Sequence, residues 1–198
     1  YLLFSDIPAN IIYKLTPGEE ATVWRQPSGN ANGLTFDRKG RFLACEHGNR
    51  RVSVTAPDGS VSALAETWRG QHFNSPNDLV VRTDGTVFFT DPPYGLSGRP
   101  REIDFQGVFR LVPGRQPVCL RRDFGMPNGL AFSPDETVLY IADTQANHVR
   151  AFPVNAAGDV GEGAILGDMG TPDGMKVDTA GRLFVTSREG IVVLDPEG

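Results

Sequence analysis

Apolar residues in this chain come in short runs separated by Gly, Pro, Asn and Asp, and no segment keeps a 3.6-residue period over ten residues. That is the pattern of β-strands joined by tight turns. Four segments repeat one motif: Asn32-Gly33-Leu34-Thr35-Phe36-Asp37, Asn77-Asp78-Leu79-Val80-Val81-Arg82, Asn128-Gly129-Leu130-Ala131-Phe132-Ser133 and Asp173-Gly174-Met175-Lys176-Val177-Asp178. Their starts lie 45, 51 and 45 residues apart. Eight residues into three of the repeats stands a glycine, Gly40, Gly85 or Gly181; the remaining one has Glu136 there. A second apolar run follows each turn, at Arg41–Cys45, Thr86–Thr90, Thr137–Ala142 and Arg182–Thr186. A third follows at Val52–Thr55, Gly107–Val112, His148–Val154 and Ile191–Leu194, and a fourth at Val61–Ala65 and Pro117–Leu120.

Four short antiparallel strands per 40–50 residues define a β-propeller blade. The start of the chain fits the same grammar, with Leu2–Asp6, Ile11–Leu15 and Glu20–Trp24 as second, third and fourth strands. The expectation is an all-β propeller domain over residues 1–198 with about five blades, the first lacking its inner strand and the last stopping after its third. Both ends read as cut: Tyr1-Leu2-Leu3-Phe4-Ser5-Asp6 as mid-strand, and Asp195-Pro196-Glu197-Gly198 as a turn awaiting another strand.

Composition narrows the function. With 19 basic and 24 acidic residues the net charge is −5, which argues against a broad electrostatic grip on nucleic acid. No apolar run is long enough to span a bilayer, so no membrane partner is expected. Gly 23 and Pro 15 suit a turn-rich β protein. Cys45 and Cys119, far apart and in strand-like runs, read as buried free thiols. The cytoplasm is the default compartment, with periplasm or secretion left open, and the sequence sets no oligomeric state.

In a propeller the first strand of each blade lines the central channel, so Asn32, Asn77, Asn128 and Asp173 converge at one face. The second strand returns to that face and adds Glu46 with His47, Asp91 with Tyr94, Asp143, and Ser187 with Arg188. Turn chemistry accounts for any single Asn-Gly or Asp-Gly, since both tolerate positive φ. Four in register, rich in carboxamide and carboxylate oxygens, favour a hard-cation site with Ca²⁺ the natural choice. No Cys/His spacing suits structural zinc.

Several stretches resemble bacterial gluconolactonases: Cys45-Glu46-His47-Gly48-Asn49-Arg50-Arg51-Val52, Asn74-Ser75-Pro76-Asn77-Asp78-Leu79-Val80-Val81, Thr90-Asp91-Pro92-Pro93-Tyr94-Gly95, Asp104-Phe105-Gln106-Gly107-Val108, Pro127-Asn128-Gly129-Leu130 and Pro172-Asp173-Gly174-Met175. The wider group includes senescence marker protein 30 and resembles the squid-type diisopropylfluorophosphatases. The similarity covers essentially the whole chain, with the motifs in family order. It implies a six-bladed β-propeller, incomplete here, and a metal-dependent hydrolase of sugar lactones. By position, the resemblance implies Asn128 and Asp173 as metal ligands and Asn77 as a substrate-facing residue that also meets the metal in some members. It further implies Asp173 as general base. The implied metal is divalent, Ca²⁺ foremost, with Zn²⁺, Mg²⁺ or Mn²⁺ as alternatives. One further ligand of the family is a glutamate opening the first blade. By repeat arithmetic it falls about eight residues before Tyr1, outside this sequence.

The implied chemistry is Lewis-acid polarisation of the lactone carbonyl, with Asp173 taking a proton from water. Asn77 would hold the ring. Glu46, His47 and Tyr94 are candidate substrate-binding residues at the rim, or else brace neighbouring loops. His72 and His148 read as structural. The absence of a Gly-x-Ser-x-Gly elbow leaves a serine-hydrolase route without its nucleophile, and Gly161-Glu162-Gly163 lacks the following helix of a dinucleotide fingerprint. Two alternatives remain: a non-catalytic propeller scaffold, and a related phosphotriesterase or esterase.

Overall fold

A computed structural model describes residues 1–195; the tail of the expected closing turn, residues 196–198, lies outside the described residues. Every regular element among them is a strand. Blade 1 holds β1 (Leu2–Asp6), β2 (Ile11–Leu15) and β3 (Thr22–Arg25). Blade 2 holds β4 (Ala31–Phe36), β5 (Phe42–Glu46), β6 (Arg51–Thr55) and β7 (Val61–Ala65). A small hairpin, β8 (Thr67–Trp68) and β9 (Gln71–His72), leads into blade 3. That blade comprises β10 (Leu79–Val81), β11 (Val87–Asp91), β12 (Gly107–Leu111) and β13 (Val118–Arg121). Blade 4 follows as β14 (Pro127–Phe132), β15 (Val138–Asp143), β16 (His148–Pro153) and β17 (Ala164–Asp168). Blade 5 is β18 (Met175–Val177), β19 (Leu183–Ser187) and β20 (Gly190–Leu194). Strand order within each sheet follows chain order, and all pairings are antiparallel.

Five sheets arranged as a propeller, with three strands in the first and last, match the expected architecture. Two elements went unread. Strand β17 is exposed at every residue and carries Gly167 next to its last residue, so it lacks the apolar alternation that marks a half-buried strand. The hairpin β8–β9 is too short to show a period.

Period-2 alternation builds the core. Strand β11 is sandwiched between neighbours and buried throughout, so its successive side chains serve opposite interfaces. Val87 and Phe89 pack with Leu43, Cys45, Phe73 and Phe109, whereas Phe88 packs with Leu130, Ile141 and Phe152 toward blade 4. Phe73 meets Phe89 and Phe109 edge-on, each at 5.1 Å between ring centres. Each such ring contributes roughly 1.5–3 kcal/mol by burial. Cys45 is fully buried and Cys119 only half-buried, and both are free thiols.

The turns between first and second strands explain the repeated glycine. Gly40, Gly85 and Gly181 all sit at positive φ, 74°, 87° and 88°. Glu136, their counterpart in blade 4, takes φ 59° without glycine's freedom. Its carboxylate accepts from Thr83 N (2.8 Å) and Thr83 Oγ1 (2.6 Å), tying that turn to the neighbouring blade.

Candidate active site

The inner strands are held together where they open. Gly33 N donates to Asn77 O (2.8 Å) and Gly129 N to Asp173 O (3.0 Å), backbone bonds between neighbouring blades. Hydroxyls on the second strands complete the ring of contacts: Ser5 Oγ donates to Asn32 O (2.7 Å) and Thr90 Oγ1 to Asn128 O (2.8 Å). Thr144 Oγ1, just past β15, donates to Pro172 O (2.6 Å). This spacing is why glycine follows the asparagine. A Cβ on Gly33 would lie 2.6 Å from Asp78 Cα, and one on Gly129 would lie 2.4 Å from Asp173 O. Neither Gly33, Gly129 nor the preceding asparagines have positive φ, so turn freedom is not the reason for Asn-Gly here. Close approach of two backbones is. The pairing register also shifts at both places, between Ala31 and Leu34 and between Pro127 and Leu130. Such irregularities re-aim side chains at strand ends.

The re-aimed side chains form one amide chain. Asn32 Nδ2 donates to Asn77 Oδ1 (2.6 Å), Asn77 Nδ2 to Asn128 Oδ1 (2.6 Å), and Asn128 Nδ2 to Thr144 Oγ1 (3.1 Å). His47 Nε2 also lies 3.2 Å from Asn77 Oδ1. Asn77 and Asn128 are buried, while Asp173 is exposed. Among the described residues the Asp173 carboxylate enters no hydrogen bond or ion pair; only its backbone is engaged, with N donating to Thr186 O (2.8 Å). Around these groups lies a cavity of about 510 Å³, lined also by Ile7, Tyr94, Thr144, Thr171, Ser187 and Arg188.

Electrostatics keep the wall neutral apart from Asp173 and Arg188. Burial lowers the His47 imidazole below its ordinary value, against the pull of the Asn77 bond, so the ring is neutral at pH 7. Burial also raises the Tyr94 phenol, with a contact to Thr144 opposing and the Asp173 charge adding to the rise. At the residue after Asn77, burial pushes the Asp78 carboxyl up to about 6, with Lys176 opposing.

The structure thus gathers Asn77, Asn128, Asp173, His47 and Tyr94 at one cavity. Glu46 is not part of it, contrary to the expectation that it reads substrate. Its buried carboxylate accepts from Arg25 Nη2 (3.0 Å), Arg51 Nε (2.7 Å) and Asn49 Nδ2 (2.6 Å), in a separate polar groove. Two guanidinium groups consume the charge, which leaves a brace for blades 1 and 2. His72 is exposed on β9, and His148 is half-buried on β16. Thr144 and Thr171 line the cavity but went unread. Thr144 directly follows the strand-ending Asp143, a place the repeat marks; Thr171 lies in an irregular loop with no such signal.

Fold and site together define a β-propeller with a polar cavity at the mouth of its channel. The chain belongs to the SMP-30/Gluconolactonase/LRE-like family, whose pattern it matches over residues 1–198. It is 34% identical over 228 aligned positions to a gluconolactonase of Zymomonas mobilis, covering 100% of this chain and 64% of that protein. The chain therefore spans just under two thirds of that relative's length. It is 26% identical to regucalcin of Oryctolagus cuniculus, covering 99% of this chain and 68% of that one. A solved gluconolactonase from Xanthomonas campestris superposes with a TM-score of 0.93 at 33% identity, over 99% of this chain and 69% of that one.

Proposed function

We propose that this propeller hydrolyses sugar lactones, with a divalent cation, Ca²⁺ foremost, held at the channel mouth. The observation that carries the reading is the Asp173 carboxylate, without a partner among the described residues and beside two oriented asparagines in one cavity. The donor set fits a hard cation: the amide oxygen of Asn128 keeps a second lone pair beyond its hydrogen bond, Asp173 adds charge, and Asn77 Oδ1 would exchange one of its contacts, to Asn32 or His47, for the ion. These three residues would hold the ion. When bound, it supplies Lewis-acid polarisation of the ester carbonyl.

The chain's own residues do the rest. The carboxylate of Asp173 takes a proton from the attacking water. Asn77 is held in one orientation by Asn32, His47 and Asn128, so its amide meets the substrate pre-positioned. Tyr94 stays a neutral hydroxyl and offers a hydrogen bond to the sugar. Similarity to the gluconolactonases supports a lactone as substrate.

The test is hydrolysis of glucono-1,5-lactone with and without added Ca²⁺, repeated after chelation and with Asp173→Ala. The expected result is turnover that needs the ion and is lost in the variant. A folded protein that binds no divalent ion and leaves the lactone untouched returns the propeller to the scaffold reading.

A further inference from the structure

One wall of the cavity carries a charge that the lactonase reading leaves unused. Among the described residues that line it, Arg188 is the single arginine or lysine and Asp173 the single carboxylate. The two do not pair, so Arg188 is not there to neutralise Asp173. Arginines that brace this fold are held by their guanidinium groups: Arg99 donates to the carbonyls of His47, Gly48, Gly95 and Leu96, and Arg50 to those of Phe73 and His72. The Arg188 guanidinium makes no hydrogen bond or ion pair among the described residues, and the residue is exposed to the cavity.

Its root is nevertheless fixed. Arg188 opens the two-residue turn between β19 and β20, where Ser187 pairs with Gly190. Its backbone N donates to Gly170 O (3.1 Å), Glu189 N donates to Ser187 Oγ (3.2 Å), and Ser187 Oγ donates to Gly190 O (3.3 Å). Facing it is Thr171, a β-branched residue at φ 59°, a conformation that side chains of this kind avoid. Thr171 N is held by Asn147 Oδ1 (3.1 Å). The Thr171 and Ser187 hydroxyls spend their protons on Gly170 O (2.6 Å) and Gly190 O, so the result is a rigid corner whose free donor is the guanidinium, unpaired among the described residues and of the kind that recognises an oxyanion.

We propose that Arg188 determines specificity, and that the preferred substrates are sugar lactones bearing a second, anionic group such as a carboxylate. The inference rests on the lactonase reading and names its substrate class. A cavity of about 510 Å³ has room for a sugar ring with a charged substituent.

The test uses a matched pair, D-glucono-1,4-lactone and D-glucaro-1,4-lactone, which differ only by a hydroxymethyl group against a carboxylate. With Ca²⁺ supplied, the wild type is expected to favour the glucarolactone. In Arg188→Gln the ratio of kcat/KM, glucarolactone over gluconolactone, is expected to fall about tenfold, chiefly through KM, as the loss of one charged hydrogen bond implies. Arg188→Lys should recover part of that ratio, and added NaCl should erode it in the wild type. An unchanged ratio in Arg188→Gln overturns the inference and leaves the lactonase reading standing. Failure of the wild type to hydrolyse either lactone overturns both.

Discussion

Two sets of polar residues reach the same face of this propeller by the same repeat, yet they meet opposite fates. The first set opens the inner strands: Asn32, Asn77, Asn128 and Asp173. The second closes the second strands: Asp6, Glu46, Asp91 and Asp143. Members of the second set are consumed by the scaffold. Asp6 Oδ1 accepts from Ala9 N (3.1 Å), Asp91 Oδ2 from Asn74 N (2.8 Å), and Asp143 from the backbone N–H groups of Gly125, Met126 and Ala146. Glu46 takes two arginines. The first set bonds chiefly to itself, and among the described residues its last member bonds to nothing through its side chain. Charge at the channel mouth is therefore a poor guide to chemistry. What matters is whether backbone N–H groups or buried guanidinium groups nearby already need that charge.

The largest expected effect comes from removing the free member. Asp173→Ala should lower lactone turnover by a factor on the order of 10³ or more, the scale of losing a general base together with a metal ligand. Its thermal unfolding should match the wild type, because no hydrogen bond among the described residues depends on that carboxylate. A large loss of stability in the variant would place Asp173 with the scaffold set and erase the contrast.

That contrast marks how far the sequence could be read. Strand order, the blade count and the converging Asn77, Asn128 and Asp173 were legible because the repeat is regular and the strands alternate. Glu46 misled for a physical reason. It stands fourteen residues after Asn32, as Asp91 stands after Asn77, and nothing local reveals that Arg25, twenty-one residues upstream, will reach it. The role of Gly129 was hidden in the same way, since only the assembled ring brings the Asp173 backbone against it.

Glu46 supplies the next test. Truncation to Ala leaves Arg25 buried without its carboxylate, a loss of about 3–5 kcal/mol for a broken buried pair. Urea unfolding should register that loss, whereas turnover per folded molecule should remain that of the wild type. A variant of full stability that has lost lactone binding would restore Glu46 to the substrate site.

Gly129→Ala probes the join between the inner strands of blades 4 and 5. Its Cβ would meet Asp173 O at 2.4 Å and Gly174 Cα at 2.8 Å, backbone atoms that must move. Stability should fall by about 1–3 kcal/mol, the scale of overpacking. Turnover should fall as well, because the displaced backbone carries Asp173. Stability lost with turnover intact would separate the strand joint from the site.

The smallest effect isolates Asp91 and is confined to a pH window. Burial raises its carboxyl from 3.8 to about 7, against opposing hydrogen bonds from the Asn74 and Ser75 backbone. A raised acid favours folding while protonated, so its contribution is fully present below about pH 4 and is lost as pH climbs to about 7. The geometry agrees. Asp91 Oδ1 and Asn74 Oδ1 are both buried acceptors without a partner, and a proton on Asp91 converts one of them into a donor. The carboxylates whose values are lowered, such as Asp123 at about 2, act in the opposite sense and at lower pH, where stability is gained as pH rises toward 4. The two windows barely overlap, so they can be read apart. Asp91→Asn cannot ionise and should flatten the slope between pH 4 and pH 7. Its melting temperature should fall less across that range than the wild type's, at about 2–4 °C for each kcal/mol of linkage in a chain of this length. Equal slopes in the two proteins would mean that Asp91 is charged in the fold despite its burial. The Asn74 N–H would then be what holds that charge, and the contrast with the Asp173 carboxylate at the channel mouth would be sharper still.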